Sequence, residues 1–375
     1  RAGRGSKIHT VADLDTKRAE ELVKGRAKVV SDAKQVVNDP EIDVVVELIG
    51  GYGIAKELVL AAINNGKHVV TANKALLAVH GNEIFAAAQA KGVTVNFEAA
   101  VAGGIPIIKA LREGLTANSI QWVAGIINGT TNFILSEMRD KGLAFGDVLK
   151  QAQALGYAEA DPTFDIEGVD AAHKATIMAA IAFGVPVQFD KAYVEGITKL
   201  EAQDIRYAEQ LGYRIKLLGI SKRTATGIEL RVHPCLVPAK RLIANVEGAM
   251  NAVMVQGDAV GTTLYYGKGA GSEPTASAVI ADLVDITRLH TADAAQRVPH
   301  LAFQPDAMSD ARVLPMNEVV TSYYLRLKVA DEAGVLARVT GLLADAGISI
   351  EAIIQKEQPA TEEYVDVIIL TNVTY

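Results

Sequence analysis

Hydrophobic and polar positions change their period along the chain, and the changes divide it. In the first hundred residues short apolar runs alternate with helical patterns. Val44-Val45-Val46-Glu47-Leu48-Ile49 is a nearly continuous run rich in β-branched residues, which predicts a strand buried on both faces. Gly50-Gly51-Tyr52-Gly53 breaks it, and Ile54, Leu58, Ala61 and Ala62 then follow helical spacing until Asn64-Asn65-Gly66. The same alternation predicts strands at 7–12, 68–71 and 93–97 and a helix at 82–91. Repeated β-α-β units with short connections predict a parallel sheet covered by helices, a Rossmann-like α/β domain over 1–103. Dinucleotide binding is a common use of that fold.

From 104 to 270 the pattern changes. A strand at 122–127 and helices at 131–141 and 169–183 precede strand-like runs at 213–220, 228–233, 252–255 and 261–265. Helices followed by a series of strands predict an α+β domain with a mostly antiparallel sheet. Gly267-Lys268-Gly269-Ala270-Gly271 then leads through Pro274 into a helix at 275–289. Residues 291–318 are polar and contain prolines, which predicts a linker, and 319–375 read as a small β-α-β-β unit.

Composition narrows the class. The 375 residues suggest two or three domains, and 50% hydrophobic with 22% charged content excludes wholesale disorder. A net charge of −7 offers no broad basic surface for nucleic acid. The single cysteine, Cys235, and the absence of a signal-like apolar run predict a soluble protein of a reducing, cytoplasmic compartment. The seven histidines lack zinc-site spacing. The uncharged stretch 114–136 is interrupted by Asn, Gln and Thr, so no membrane span is expected. The chain has no initiator Met, and 1–50 contain no G-x-G-x-x-G turn. We therefore expect a sequence clipped at both ends, with the first β-α unit lying upstream.

Four segments are candidates for chemistry. Leu155-Gly156-Tyr157-Ala158-Glu159-Ala160-Asp161-Pro162 is followed by Asp165, Glu167, Asp170 and Lys174. Asp170 and Lys174 are four apart and share a helix face; such acids suit a substrate ammonium and such a lysine suits proton transfer. A solvated helix start with one ion pair accounts for the same spacing. Thr71-Ala72-Asn73-Lys74-Ala75 follows a strand, where parallel sheets gather ligands. Asn128-Gly129-Thr130-Thr131-Asn132 suits a carboxylate at a helix N-terminus or a plain N-cap. Glu98-Ala99-Ala100-Val101-Ala102-Gly103-Gly104-Ile105-Pro106 suits a hard monovalent cation or a tight crossover. Asp13, after the first strand, stands where such folds hold the adenosine ribose.

Taken in this order, the segments resemble the homoserine dehydrogenase family, from about Gly3 through Leu289. Its signature is present as Gly156-Tyr157-Glu159-Asp161-Pro162-Asp165-Gly168-Asp170-Lys174, with Asn73-Lys74 and Asn128-Gly129-Thr130-Thr131 also in place. The resemblance implies reversible interconversion of L-aspartate 4-semialdehyde and L-homoserine with NAD or NADP, on the route to threonine, methionine and isoleucine. It implies Lys174 as proton donor and Lys74 as its partner between nicotinamide and substrate. Glu159 and Asp170 would hold the substrate, with Tyr157, Gly129 and Thr130 nearby and Asp165 supporting Lys174. Gly50, Gly271, Asp13 and Lys74 would face the cofactor, with the helix after Gly271 (271–290) returning to the nucleotide domain. Glu98 and the carbonyls of Val101, Gly103 and Ile105 would form a sodium site. The 104–270 domain would carry catalysis and dimerisation, in a homodimer or homotetramer. Asp13 favours an unmodified ribose, whereas Lys17 and Arg18 suit a 2′-phosphate, and both readings stay open.

The unit at 319–375 resembles an ACT domain through Asp331, Gly334-Val335-Leu336-Ala337, Val339, Leu342-Leu343 and Gly347-Ile348-Ser349-Ile350, with the closing helix and strand absent. That resemblance implies control by threonine, with Gly334, Ile348 and Ser349 lining one pocket. Two alternatives remain open: a catalytically silent amino-acid sensor, and a dehydrogenase for another semialdehyde or amino acid.

Overall fold

The computed structural model describes residues 2–355 and 363–375. The N-terminal part runs β1 (Thr10–Ala12), α1 (Thr16–Val23), β2 (Lys28–Val30), α2 (Lys34–Asn38), β3 (Val44–Glu47), α3 (Gly53–Asn64), β4 (His68–Thr71), α4 (Lys74–Lys91) and β5 (Val95–Asn96). All its pairings are parallel, as the alternation predicts, in two pieces: β1 with β2, and β3-β4-β5 in that order. The expectation that the 44–49 run is buried on both faces is corrected. Among the described strands the run pairs only with β4, and burial alternates along it, Val45 and Glu47 buried and Val46, Leu48 and Ile49 exposed, so only one face is covered. The first and last predicted strands are also shorter than expected, beginning at Thr10 and reduced to Val95–Asn96.

Helix α4 starts eight residues earlier than its pattern suggests. The Asn73 side chain accepts the amide of Leu76 at 3.0 Å and caps it, and Leu76, Leu77 and Ala78 are buried in the first turns. Gly81 allows close approach there, since a Cβ at that position would stand 3.3 Å from the Phe85 ring and 3.5 Å from Val187. The cap places Lys74 at the first helical position, directly beyond the carboxyl end of β4.

The middle part holds α5 (Ile107–Lys109), which runs into a π-helical turn at Ala110–Gly114, then β6 (Ile120–Ile126), α6 (Gly129–Lys141), α7 (Phe145–Ala154), α8 (Thr163–Ile166) and α9 (Val169–Phe183). It continues with β7 (Tyr193–Val194), α10 (Ala202–Gln210), β8 (Tyr213–Arg223), β9 (Ile228–Pro238), β10 (Met250–Gly257), β11 (Gly261–Lys268) and α11 (Ser272–Leu289). Its six-stranded sheet has the order β11-β10-β6-β8-β9-β7 and is antiparallel except at β7 against β9. Helix α9 packs on β8, β9 and β6 and is apolar almost all round, so fourteen of its fifteen residues are buried. The polar residues it carries are therefore buried too. The loop 267–271 crosses the turn at Gly103-Gly104, where the Gly104 amide donates to the Lys268 carbonyl at 2.9 Å. A Cβ on Gly103 would lie 2.4 Å from the Gly269 oxygen, so only glycine permits that crossing. Helix α11 then packs on β4 and the Glu98 turn.

Residues 291–318 connect the parts but are fastened down along their length. Val95 N donates to His300 Nε2 (3.0 Å), Ser309 N to the Gly184 carbonyl (2.7 Å), and Val313 bridges to Ile228. The C-terminal unit has β12 (Tyr324–Ala330), α12 (Val335–Asp345), β13 (Ile350–Gln355) and β14 (Tyr364–Thr371) in the order β12-β14-β13. It is tied to α10, where buried Asp204 accepts from Tyr324 Oη (2.7 Å) and pairs with Arg326 Nε (2.8 Å). No helix among the described residues is long and apolar enough to cross a membrane.

Candidate active site

The carboxyl ends of β3 and β4 are pinned by Glu47. Its Oε2 accepts the Thr71 hydroxyl (2.7 Å) and its Oε1 the amides of Ile49 (2.7 Å) and Gly50 (3.1 Å). The Asn73 amide group donates to the Gly51 carbonyl at 2.7 Å and ties this turn to the start of α4. Lys74 is held at that junction and reaches across to α9, its Nζ 2.9 Å from Asp170 Oδ1.

Asp170 and Lys174 form the expected i,i+4 pair, with Nζ donating to Asp170 Oδ2 at 2.7 Å and to the Ile127 carbonyl at 2.8 Å. One buried carboxylate thus joins two ammonium groups from different domains. Burial works to raise the Asp170 pKa, but Lys174 and Lys74, with the bonds from Lys174 and Asn128, outweigh it and hold the acid well below the carboxylate range. Lys174 uses two of its three N–H donors on the protein, which leaves one for a substrate oxygen.

Asn128 organises the remaining groups. Its Oδ1 caps α6 by accepting the Thr131 amide (2.8 Å), and its Nδ2 donates to Asp165 Oδ1 (2.7 Å) and Asp170 Oδ2 (2.8 Å). Asp165 therefore accepts from Asn128, and Lys174 donates to the Ile127 carbonyl and Asp170 instead. Burial, then repulsion from Asp170, pushes the Asp165 carboxyl up, against the Asn128 bond. Thr130 Oγ1 donates to the Tyr157 carbonyl at 2.6 Å, and the Tyr157 ring leans on Phe133 at 4.7 Å. Gly129 is required by packing, since a Cβ there would meet the Ala249 oxygen at 2.8 Å. Glu159 is exposed in the lead-in loop, where its carbonyl accepts from Gln153 Nε2 at 3.0 Å and its carboxylate has no partner among the described residues.

Other predicted positions lie apart from the lysine pair. Asp13 ends β1 in the separate two-stranded piece and accepts the Asp15 amide at 2.8 Å. Gly50, with φ +84°, lies in the open turn after β3, and Gly271, with φ +121°, caps α11. The Glu98 carboxylate, expected as a cation ligand, is already engaged by protein donors. Both oxygens accept amides at the start of α5, Ile108 N and Lys109 N at 2.9 Å each, because the turn after β5 folds this side chain onto the helix. Burial pushes that carboxyl up to about 7 against those bonds. The carbonyls of Val101, Gly103 and Ile105 remain in the tight turn, where Ala102 and Gly103 have φ of +54° and +39°.

Gly334, Ile348 and Ser349 do not line one pocket within the chain, contrary to expectation. Gly334 follows the Ala330 end of β12, which pairs with Tyr364, whereas Ile348 and Ser349 precede Ile350, which pairs with Thr371 at the other end of β14. A β-α-β crossover separates the end of one strand from the start of the next parallel one, here β12 and β13 with β14 between them.

Three contributors escaped the sequence reading: Glu47, Asn128 in its double role, and His173. A lone acid closing an apolar strand was the available signal for Glu47, but nothing local marks His173. Its fully buried ring lies between Phe164 (5.2 Å) and Phe189 (4.4 Å), and neither nitrogen has a partner among the described residues. Burial holds it neutral, with its pKa lowered to about 4 despite the pull of Asp170. An unfolded histidine titrates near about 6.5, so the unfolded chain binds the extra proton between these values and stability falls as pH drops through that window. His173→Leu should therefore lose less Tm between about pH 7 and pH 5 than the parent. Parallel Tm–pH curves for the two proteins would show that His173 does not stay neutral. Part of the slope should persist, since burial also lowers His68 and His300 to about 4.

A half-domain of parallel β-α-β units, joined to a second domain that supplies a buried lysine–carboxylate–lysine cluster at the strand ends, is the arrangement of a dinucleotide-dependent oxidoreductase, here with a small β-α-β-β unit appended. Residues 106–284 match the family model described as homoserine dehydrogenase, 3–98 its NAD binding domain, and 323–374 the ACT domain. The chain is 64% identical over 378 residues to the homoserine dehydrogenase of Pseudomonas aeruginosa, a match covering 99% of this chain and 85% of the relative. It is 61% identical to that of Neisseria gonorrhoeae, with 100% and 86% covered. The crystal structure of a homoserine dehydrogenase from Thiobacillus denitrificans superposes with a TM-score of 0.95 at 68% identity, covering 100% of this chain and 85% of that one. A hyperthermophilic archaeal homoserine dehydrogenase in complex with NADPH superposes at 0.62 with 26% identity, covering 75% and 84%. The chain belongs to the homoserine dehydrogenase family, whose reaction interconverts L-aspartate 4-semialdehyde and L-homoserine.

Proposed function

We propose that Lys174 is the acid and base of this reaction, and that Lys74 and Asp170 hold it in position. The observation that carries the proposal is the single buried carboxylate bonded to both ammonium groups at the carboxyl end of β4. The hydride comes from a nicotinamide bound at the ends of β3 and β4. The residues there fit such a group: at Gly50 and Gly51 the backbone is left-handed and nothing lies within 4 Å of an added Cβ, so a ligand can approach the main chain. As hydride reaches the aldehyde carbon, its oxygen gains negative charge and takes the proton of Lys174, which leaves the alcohol. Asp170 holds the ammonium aimed until then, and the Ile127 carbonyl fixes its rotamer. In the reverse direction the neutral amine removes the hydroxyl proton.

The exposed, unpaired carboxylate of Glu159 suits the substrate ammonium, beside Tyr157, Thr130 and Gly129. Glu159→Gln should raise KM for homoserine while changing kcat little, since that contact is equally present in ground and transition states. An unchanged KM with a depressed kcat would remove Glu159 from substrate binding. The parent assay is nicotinamide absorbance with homoserine, aspartate semialdehyde and unrelated aldehydes. Turnover of the last at comparable kcat/KM would overturn the substrate assignment.

Lys17 and Arg18, both exposed at the start of α1, favour NADP over NAD, and the archaeal relative with NADPH supports that reading. A sodium ion in the 101–105 turn would rest on main-chain oxygens, without the Glu98 carboxylate. A homodimer across the β11 edge fits the exposure of Leu264 and Tyr266 there. Threonine is the effector that best fits an ACT domain in this pathway, with Gly334 of one copy and Ile348 and Ser349 of another forming its pocket. A cytoplasmic location accords with the single unpaired cysteine.

A further inference from the structure

A cavity of about 270 Å³ lies at the end of the nucleotide-domain sheet remote from the catalytic lysines, with His68, Thr94, Arg112, Asp285, Arg288 and Arg297 in its wall. His68 opens β4, the strand whose other end leads to Lys74, and Asp285 and Arg288 belong to the last turns of α11, whose first turn follows Gly271. The volume is below the roughly 300–1,000 Å³ of pockets for drug-sized ligands and suits a small molecule.

The donors around this space outnumber their acceptors. Arg112 is only 7% exposed, yet none of its N–H groups has a hydrogen-bond acceptor among the described residues, and its Nε is sealed from solvent. Its closest carboxylate, Glu113, is 3.8 Å away, and its guanidinium stands over the Phe97 ring at 5.8 Å. Glu98 and Asp282 attract it electrostatically, and Glu113 and Asp285 share the cavity wall, but none of them accepts a hydrogen bond from it among the described residues. Glu98 accepts two helix amides, Asp282 accepts the Glu98 amide at 2.9 Å, and Asp285 is committed to Lys109 and Arg288. Arg297 spends its terminal nitrogens on the carbonyls of Gly92 (2.8 Å) and Ala292 (3.0 Å), and its buried Nε is likewise unpartnered. Buried guanidinium donors without acceptors are costly and uncommon in native proteins. Arg112 is also carried by the π-helical turn, closed by Leu115 N to the Ala110 carbonyl at 2.8 Å, a local geometry that recurs at functional sites.

We propose that this cavity is a second ligand site, which takes a small oxyanion, inorganic phosphate or a short carboxylate, on Arg112 and Arg297. The ligand would meet the terminal N–H groups at the cavity wall, where those of Arg112 have no acceptor among the described residues and each terminal nitrogen of Arg297 keeps a second N–H, and charge-assisted bonds to guanidinium are the strong ones. His68 Nδ1 accepts the Thr94 amide at 3.0 Å, so the neutral ring has Nε2–H as a further donor.

The test is calorimetric titration of the full chain with sodium phosphate and, separately, sodium malonate, at ionic strength held constant with chloride. Saturable binding of one anion per chain is expected for at least one of them. Phosphate alone or malonate alone identifies the source, and either result supports the site. Arg112→Met should weaken binding roughly tenfold or more, the loss expected for hydrogen bonds to a charged group. Thr94→Glu keeps both arginines but places a carboxylate in the wall. It should have the same effect, which keeps the test decisive if the buried Arg112→Met variant fails to fold. No saturation by either anion up to about 10 mM, or unchanged affinity in Thr94→Glu, would overturn the proposal and, in the second case, place the anion elsewhere, such as at the cofactor site.

Discussion

Lys174→Ala is expected to lower turnover in both directions by about 10²–10⁴-fold, the usual contribution of a positioned general acid. Asp170, held ionised by the two lysines, has no proton to offer the alkoxide formed as hydride arrives. The substitution removes the proton and leaves the turn at Gly50-Gly51 and the Asn73 cap intact, so nucleotide affinity should change little. Steady-state kinetics in parallel with cofactor titration separates the two effects. A turnover loss below about threefold would exclude Lys174 as the acid.

The second large effect is structural. Asp170→Ala leaves Lys174, which is nearly buried, and the partly exposed Lys74 facing each other without a counter-charge. Breaking a buried ion pair by removing one partner typically costs about 3–5 kcal/mol, and a loss in that range is expected from denaturant unfolding at neutral pH. Asn128 Nδ2 also loses an acceptor but keeps Asp165. Adding Lys174→Met to Asp170→Ala should restore part of the stability, because the uncompensated charge is then gone. A single-variant loss below about 1 kcal/mol would mean that the lysines find water or other acceptors, and that the cluster does not hold its geometry through Asp170. The sign of the pH dependence follows from the depressed pKa. The Asp170 contribution is complete above the ordinary carboxylate range, and it is lost only as pH falls through the lower folded value.

The comparison of pattern with structure has a physical shape. Helix α9 was legible to the residue, because its apolar character is unbroken between Gly168 and Gly184, both in the left-handed conformation that favours glycine. So was the pairing of Asp170 with Lys174, since helical spacing alone puts them on one face. Strand β4 and helix α3 were legible for the same local reasons, and the long signature from Gly156 to Lys174 marked in advance the lead-in and helix that carry Asp165, Asp170 and Lys174. The start of α4 was not. Its opening residues run Lys-Ala-Leu-Leu-Ala-Val-His-Gly with a glycine inside the helix, and only the contact with Val187 shows why glycine is tolerated there.

The sequence by itself determined the elements and the chemical inventory, because periods of two and 3.6 and glycine stops act over a few residues. Tertiary structure alone decided the meetings. Lys74 touches Asp170 across nearly a hundred residues, Asn128 reaches Asp165 and Asp170 together, the Glu98 carboxylate turns to α5, and residues 291–318 are fastened to β5, α9 and β9. Such contacts depend on how buried faces of separate elements pack. Local spacing specifies which face each element will bury, and carries no record of the face it will be buried against.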